Sequence, residues 1–286
     1  MDTRMGENIN GPCLIRVPPW IRSPLGRYYL YFGHHQGKYI RLAYADSLEG
    51  PWRTHEPGVL NLEDALFVKH IASPDVLIDN DRRELRLYYH GPLAEQDKTG
   101  PHGRHAQATR VALSTDGLCF TPQQEVLGSS YMRVLRYHDA YYAVSMPGIF
   151  LRSEDGLTNF IEGPTLFPPG QRHVGLKLDR DGHTLNVFHS HRGDCPERIL
   201  VSQVDLRPDW DDWRPTEPQL VLQPEHDWEG VNEPVVASHG GAAHRPVHQL
   251  RDPYVFTQEG GPEPEDYLVY SVAGERGLAI ARLYLD

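Results

Sequence analysis

The sequence predicts an all-β fold, a single-domain five-bladed β-propeller. Short segments with alternating apolar and polar residues recur along all 286 residues, and helical periodicity is nearly absent. The segments form a unit of three or four strands that can be read five times, at intervals of roughly 40–60 residues. The 26 glycines and 24 prolines are spread as turn residues, and no linker divides the chain. Short strands repeated at this spacing are typical of propeller blades.

The clearest unit begins with a hairpin. An apolar strand at 75–78 is followed by a polar turn at 79–84 and an alternating strand at 85–89 that ends on His90. Period-2 alternation bounded by Asn and Asp is a hairpin signal. The two strands are antiparallel, so Asp75 at the head of the first is expected to lie beside His90 at the tail of the second.

The other units follow the same order. We expect blades at approximately residues 8–60, 70–127, 129–168, 172–224 and 230–286. Their first strands are predicted at 13–17, 75–78, 131–135, 172–176 and 250–256. Their second strands are predicted at 27–32, 85–89, 141–146, 184–189 and 267–272. Third strands are predicted at 39–45, 109–114, 149–153, 198–204 and 277–285, each with turn residues at its ends.

Composition excludes several classes of partner. A net charge of −11 argues against binding to nucleic acid or to an anionic membrane surface. No apolar run reaches the length of about 18 residues needed for a membrane span, and the N-terminal residues lack the apolar core of a signal peptide. Cys13, Cys119 and Cys195 are widely spaced and form no CxxC pair, which indicates reduced thiols. We therefore expect a cytoplasmic protein, whose oligomeric state the sequence leaves open.

Propeller geometry predicts where the functional residues meet. The start of each first strand and the end of each second strand share one face, close to the central axis. The first-strand ends give Asn8, Asn10, His70, Asp75, Tyr131, Arg133, Arg172, His173, Arg251 and Asp252. The second-strand ends give His34 or His35, of which one faces inward, and His90, Met146, His189, His191, Arg192 and Glu275. A set this rich in histidine, arginine and carboxylate indicates a functional pocket, with a satisfied structural network as the alternative.

Two loops carry further candidates. The loop at 225–249 is far longer than ordinary connections, and its Glu229 and Glu233 have no evident role in a blade. Glu197, near the end of the second strand of blade four, is either a loop brace or a site residue. His102 and His105 belong to a polar loop at 93–108 that we expect to be solvated.

Three segments carry a resemblance to known proteins. The stretch 28–52, with YYLY, Ala45-Asp46-Ser47 and Gly50-Pro51-Trp52, resembles the first blade of glycoside hydrolase family 43 and its relatives, the five-bladed propeller glycosidases. Ser73-Pro74-Asp75-Val76 resembles their second-blade APDV element. Arg251-Asp252-Pro253 resembles the RDP element of the related fructan-cleaving propellers.

The resemblance implies glycoside hydrolysis, with Asp75 as the acid that tunes and orients the proton donor. Two positions depart from the family pattern. The first-blade Asp-Pro that supplies the family's general base reads Gly11-Pro12 here, after Asn10. The third-blade glutamate that donates the proton has no counterpart at 129–135, where Arg133 stands.

The first functional hypothesis is an inverting glycoside hydrolase acting on a small glycan or oligosaccharide, with no cofactor required. This chemistry needs an acid and a base carboxyl roughly 6.5–9.5 Å apart. We assign the general base to Asp252 and the general acid to Glu233. Asp75 is assigned the role of tuning the pKa of the proton donor. Glu275, Glu197 or His173 are alternative proton donors. The predicted substrate-binding residues are Asn10, His34, His90, Arg133, Arg172, His189, Glu197 and Arg251.

Two other hypotheses stay open. One is a non-hydrolytic lyase or a metal-dependent hydrolase, in which His34, His90, His173 and His189 hold a metal ion on the axis. The other is a sugar-binding propeller that has lost catalysis, which the missing first-blade aspartate favours.

Overall fold

The computed structural model describes residues 6–285 and confirms the five-bladed β-propeller. The chain forms five antiparallel sheets whose strands follow one another in sequence order, except that the strand at 128–129 pairs with the strand at 108–114 in the second sheet. Short 3₁₀ turns lie in the loops at Glu95–Asp97, Trp210–Asp212 and Asp227–Glu229. Within the described residues, no helix combines the length and apolar character needed to cross a membrane.

The strands have the following bounds. Blade 1 contains β1 (Asn10–Arg16), β2 (Tyr28–Gly33), β3 (Tyr39–Ala45) and β4 (Arg53–Asn61). Blade 2 contains β5 (Ala72–Asp79), β6 (Glu84–Gly91), β7 (Ala108–Ser114), β8 (Thr121–Pro122) and β9 (Gly128–Ser129). Blade 3 contains β10 (Arg133–Tyr137), β11 (Ala140–Ser145), β12 (Ile149–Ser153) and β13 (Ile161–Thr165). Blade 4 contains β14 (Gln171–Leu178), β15 (Thr184–His191), β16 (Ile199–Asp205) and β17 (Gln219–Leu222). Blade 5 contains β18 (Arg251–Gln258), β19 (Glu265–Val272) and β20 (Gly277–Leu283).

The first strands of the blades close a ring around the axis. β1 contacts β5, β5 contacts β10, β10 contacts β14, β14 contacts β18, and β18 returns to β1. Each first strand therefore has neighbours on both sides, and β1, β5, β14 and β18 are buried along most of their length. This closure places the first-strand side chains of all five blades in one axial space.

Aromatic residues fill the spaces between neighbouring blades. Tyr29 and Tyr31 of β2 are fully buried, and Tyr31 packs edge-on against Phe120 of blade 2 while its hydroxyl donates to the Gly117 carbonyl. Tyr88 of β6 makes the same kind of bond across the next interface, to the Gly156 carbonyl. Burying an aromatic or large aliphatic side chain contributes about 1.5–3 kcal/mol, so these interfaces hold the blades in register.

Four of the first strands carry the same β-bulge. In blade 4, for example, three residue steps from Arg172 to Gly175 face only two steps from Ser190 to Phe188 on the partner strand. The same shift occurs in β1, β5 and β18, and in blade 3 it lies just before β10, where the Met146 amide donates to the Ser130 carbonyl. In each bulge one residue has a positive φ, in the order Gly11 (57°), Ser73 (49°), Tyr131 (58°), His173 (50°) and Asp252 (52°). Bulges redirect side chains and are over-represented beside active sites.

Candidate active site at the propeller axis

Asp252 and His173 form the centre of the axial cluster. Oδ1 of Asp252 lies 3.2 Å from Nδ1 of His173, and Oδ2 accepts a hydrogen bond of 3.0 Å from the Ser271 hydroxyl. Nε of Arg172 donates to Nε2 of His173 at 3.1 Å, so Nε2 carries a lone pair. The neutral imidazole must then hold its proton on Nδ1, facing Asp252. Burial first, and then the charges of Arg172 and Arg251, lower the pKa of His173 well below its usual value.

Glu275 is the most fully bonded carboxylate at the axis. It is completely buried, and Oε1 accepts a hydrogen bond of 2.9 Å from Arg251. Oε2 contacts Nδ1 of His35 at 3.2 Å and accepts from the amides of Asn8 and Asn10. Burial favours the neutral acid, but His35, Arg251 and Asn8 outweigh it and lower the pKa of Glu275 to about 2. Glu275 is therefore a fixed anion at every physiological pH.

Glu197 pairs with the two site arginines. Its Oε2 lies 3.1 Å from Nε of Arg251, and its Oε1 lies 3.6 Å from Nε of Arg172 and accepts a bond of 2.7 Å from the Ser190 hydroxyl. The guanidinium groups of Arg172 and Arg251 are therefore already paired with Glu197 and Glu275.

Asp252 is consequently left without a cationic partner. In residues 6–285 it forms no ion pair with a lysine or arginine, and its neighbours His173 and Ser271 are neutral. Burial, and then the charge of Glu275, raise the pKa of Asp252 to about 6. A carboxyl with a pKa near neutrality can exchange a proton during a reaction, which a fully paired carboxylate cannot.

Tyr131 forms an aromatic stack with His90 and His173 beside this pair. Its ring lies between His90 and His173, with centroid distances of 4.6 Å to each. Both histidines are buried, whereas Tyr131 is partly exposed. Burial lowers the pKa of His90 to about 3, so the stack is uncharged at neutral pH. With an imidazole on each side of the ring, the part of Tyr131 that a ligand can reach is its partly exposed edge.

Arg133 closes the axis two residues further along the first strands. Its guanidinium donates to the carbonyls of Pro12 (3.0 Å), Pro74 (2.5 Å) and Val174 (3.0 Å), which belong to three different blades. Asp75 lies 3.4 Å from the same guanidinium and accepts from the Val134 amide at 2.8 Å.

Asp75 therefore belongs to a deeper layer than Asp252. Burial raises its pKa, against the opposing charge of Arg133. Asp75 accepts from Arg133 and Val134. Within the described part of the chain it contacts none of the residues predicted to act as the catalytic acid. Its assigned role in tuning such a donor stays a prediction.

The loop at 225–249 covers the funnel. The carbonyl of His239 accepts from Arg172 at 2.9 Å, and that of Gly241 lies 3.4 Å from Nη1 of Arg251. Buried Glu229 anchors the loop by accepting from the Tyr270 hydroxyl at 2.7 Å. Glu233 is half-exposed, and its side chain forms no hydrogen bond or ion pair within residues 6–285. We refer to this loop as the lid.

The structure separates two other predicted residues from the cluster. His189 points between blades, where its ring packs 5.1 Å from Phe167 and Nε2 lies 3.4 Å from the Ser202 hydroxyl. Its neighbour Ser190 faces the axis instead, because strand neighbours alternate and Ser190 pairs with Arg172. His34 lies half-buried against Gly6, and His35 is the member of that pair that reaches Glu275.

The remaining predicted residues meet at the axis: Asn10, Asp75, His90, Arg133, Arg172, His173, Glu197, Arg251, Asp252 and Glu275. Asn8 and Tyr131, which the repeat predicts at first-strand ends, also lie at the axis, although no catalytic or binding role is assigned to them from the sequence. Ser271 is the residue that the sequence does not indicate, since small polar residues are common at strand ends.

The chain is similar to known proteins in sequence and in fold. No family model matches the chain. It is 35% identical to the uncharacterized protein R118 of Acanthamoeba polyphaga mimivirus, over 309 aligned residues that cover 96% of this chain and 83% of the viral protein.

Solved structures with a similar fold include a thermostable family-43 glycoside hydrolase, with a TM-score of 0.64 and 14% identity over 98% of this chain and 90% of that one. The α-L-arabinanase of Cellvibrio cellulosa gives 0.61 and 14%, over 98% and 93%. The GH43_1 enzyme of Xanthomonas citri, in complex with xylotriose, gives 0.63 and 11%, over 98% and 88%. Identities this low show a shared fold.

Proposed function

Because the chain belongs to the same family as the mimivirus protein R118 and has the five-bladed propeller fold of the family-43 glycoside hydrolases, we propose that it is an inverting glycoside hydrolase acting on a small glycan or oligosaccharide. The observation that carries the proposal is the buried Asp252 carboxyl, whose pKa is raised to about 6 beside the neutral His173. Such a group accepts a proton readily near neutral pH.

The bulge repeat supports Asp252 as the general base. In the family pattern that role belongs to an Asp-Pro in the first blade, where this chain has Gly11-Pro12. Asp252-Pro253 has the same bulge, the same positive φ and the same following proline in blade 5, whose first strand contacts β1. The base would thus have moved by one blade around the axis.

The proton donor in this proposal is Glu233. Glu275 and Glu197 are bound to arginines, and the low pKa of Glu275 makes it unable to release a proton near neutrality. Glu233 lies on the lid and is free of ion pairs in the described residues, so it can move with the lid. Glu275 and Glu197 then hold the two arginines in place.

Substrate entry in this proposal requires the lid to open. The lid carbonyls of His239 and Gly241 occupy N–H groups of Arg172 and Arg251. When the lid moves, those donors become available to sugar hydroxyls or to a sugar carboxylate, since guanidinium groups bind both. Binding would therefore exchange lid carbonyls for substrate oxygens.

The test is reducing-sugar release from a panel of oligosaccharides by the wild type, Asp252→Asn, Glu233→Gln and the exposed control Glu263→Gln. We expect the control to match the wild type, and both site variants to lose at least about 100-fold in rate. Full rate in Asp252→Asn, on a substrate that the wild type cleaves, would refute the role of Asp252. Full rate in Glu233→Gln would refute only the choice of donor.

A sugar-binding propeller without catalysis is the second candidate. The burial of every axial carboxylate favours it, because a lid that never opens would leave Asp252 as part of a structural network. Sugar binding by calorimetry with no turnover across the panel would support it. The axial histidines do not support a metal-dependent alternative, since His90 and His173 flank Tyr131 and His189 points away.

A further inference from the structure

A second cluster of ligating side chains lies outside the funnel. The loop between β6 and β7 folds over β13 of blade 3 and brings His102 and His105 to Glu162. Nδ1 of His102 is 3.1 Å, and Nε2 of His105 is 2.8 Å, from the same oxygen, Oε1 of Glu162. One ligand atom from each of the three residues lies within 4.8 Å of the others, and no other group of this kind is found in residues 6–285.

The protonation of His102 makes this geometry unusual. Its Nε2 lies 2.8 Å from the carbonyl oxygen of Phe160, which can only accept, so Nε2 carries the proton. In the neutral ring Nδ1 then has a lone pair directed at an oxygen of Glu162. Two acceptors at 3.1 Å repel each other unless a cation lies between them. A ring N–H held by a backbone carbonyl, with the other nitrogen directed into a cluster, is the usual arrangement of a metal-binding histidine.

Glu162 is held as a carboxylate suited to one ligand bond. Its second oxygen, Oε2, accepts a hydrogen bond from the guanidinium of Arg104. Arg104 therefore fixes the orientation of the carboxylate and leaves Oε1 for the histidine side.

We propose that His102, His105 and Glu162 form a zinc site, which is independent of the proposed glycosidase function. Two imidazoles and one carboxylate are an established zinc ligand set, with a fourth position left for water. Zinc bonds of about 2.0–2.2 Å place neighbouring ligand atoms about 3.3–3.5 Å apart in a tetrahedron. The observed 2.8 and 3.1 Å would open by a few tenths of an ångström.

The surroundings of the cluster give an ion access from solvent and a structural role. His102 is buried, while the side chains of His105 and Glu162 are 13% and 20% exposed. A cleft of about 560 Å³, lined by His102, Phe160 and Ile161 among others, opens beside the cluster. Bound zinc would tie this loop to blade 3. The loop returns to the funnel rim, where Gln107 lies 3.1 Å from Nε2 of His70.

The test uses protein purified without a histidine tag. Metal content is measured after equilibration with limiting Zn²⁺, and Co²⁺ is added as a spectroscopic probe of four-coordinate geometry. The variants are His105→Gln, which removes one ligand while the His102–Phe160 contact stays, and the control His183→Gln. His183 is a surface histidine 3.2 Å from Asp181, so it presents a similar His–carboxylate pair without the cluster.

We expect one zinc per chain and visible Co²⁺ absorption for the wild type and the control, and at least about tenfold weaker binding for His105→Gln. Chelation should increase proteolytic cleavage in the loop without changing the circular dichroism of the propeller. Zinc content in the wild type no higher than in a folded His105→Gln would overturn the proposal. In that case a second proton on His102 explains its contact with Glu162.

Discussion

His173 and Asp252 occupy the same bulge position in neighbouring blades, and their Nδ1 and Oδ1 atoms lie 3.2 Å apart. Both atoms are buried, and neither forms a hydrogen bond of regular geometry within residues 6–285, so they meet only through this close contact. Arg172 fixes the tautomer of His173 from the other side of the ring. Asp252 therefore faces a neutral imidazole, whereas its neighbours Glu197 and Glu275 face guanidinium groups. Because of this difference, the pKa of Asp252 is higher than that of Glu275.

Replacing Asp252 by asparagine should change how stability depends on pH. The pKa of Asp252 is about 6 in the folded protein against 3.8 in the unfolded chain, so between these values the folded state holds more protons. The Asp252 carboxyl should therefore contribute stability that rises as pH falls from about 7 to about 4.5, by on the order of 2–3 kcal/mol, while His90 and His173, whose pKa values are lowered, contribute in the opposite direction in both proteins. Asp252→Asn should remove this rise and be more stable than the wild type at pH 7. Urea unfolding of both proteins at several pH values gives the free energies of unfolding. A difference between the two proteins that stays constant with pH would contradict the raised pKa of Asp252.

The rate of a catalytically active wild type should depend on the same group. If Asp252 is the base, kcat/KM falls as pH drops below about 6, because the protonated carboxyl cannot accept a proton. The residual rate of Asp252→Asn should not show this fall in kcat/KM below about pH 6. The measurement is a pH–rate profile of both proteins on one substrate. A wild-type rate that increases below pH 6 would assign Asp252 as the acid instead.

Glu275→Gln should be strongly destabilised at neutral pH. The variant leaves Arg251 buried with half of its charge pairing removed, and breaking a buried pair costs about 3–5 kcal/mol. The folded-state pKa of about 2 lies below the ordinary 4.5, so this stabilisation is present above pH 4.5 and is lost as pH falls towards 2. Urea unfolding at pH 7 measures the loss, with exposed Glu7→Gln as a control expected within about 0.5 kcal/mol of the wild type. Equal stability of the two variants would contradict the buried pairing.

Arg133→Met should destabilise the propeller by about 3–5 kcal/mol, because it leaves Asp75 and three carbonyls without their donor. The double variant Arg133→Met with Asp75→Asn should recover part of that loss, since the unpaired charge is gone. Chemical unfolding of the single and double variants gives the coupling energy. Strictly additive losses would show that Asp75 and Arg133 do not depend on each other.

Tyr131 should affect sugar binding through its ring. Tyr131→Ala is expected to raise KM, or the Kd of a product sugar, about three- to tenfold, whereas Tyr131→Phe keeps a ring between His90 and His173 and should stay near the wild type. Calorimetry or initial-rate kinetics on the three proteins gives the comparison. A Tyr131→Phe defect as large as that of alanine would assign the effect to the hydroxyl.

The propeller itself could be predicted because each blade repeats a local pattern. Alternation in segments such as 85–89 and turn residues such as Asn80 mark hairpins without knowledge of the rest of the chain. Repetition then fixes the architecture, since each unit must bury its faces against a neighbour. Most axial residues could be selected for the same reason.

The facing of individual side chains was harder to predict. His189 and Ser190 differ by one position, and the bulge opposite them decides which one faces the axis. The lid has no periodicity, so the sequence could not show that Glu229 is a buried anchor while Glu233 stays half-exposed. The contact between the 93–108 loop and blade 3 joins residues about 60 positions apart, and that pairing left no local signal.

Arg133 gives the molecule a central positive charge that is covalently part of the chain. This charge does not vary with the ionic composition of the surroundings, and no chelator can withdraw it. The innermost joint of the five sheets therefore contains a built-in cation that binds the carbonyls of three blades. If the zinc proposal holds, sensitivity to zinc supply would arise in the peripheral loop at 93–108, away from this central joint.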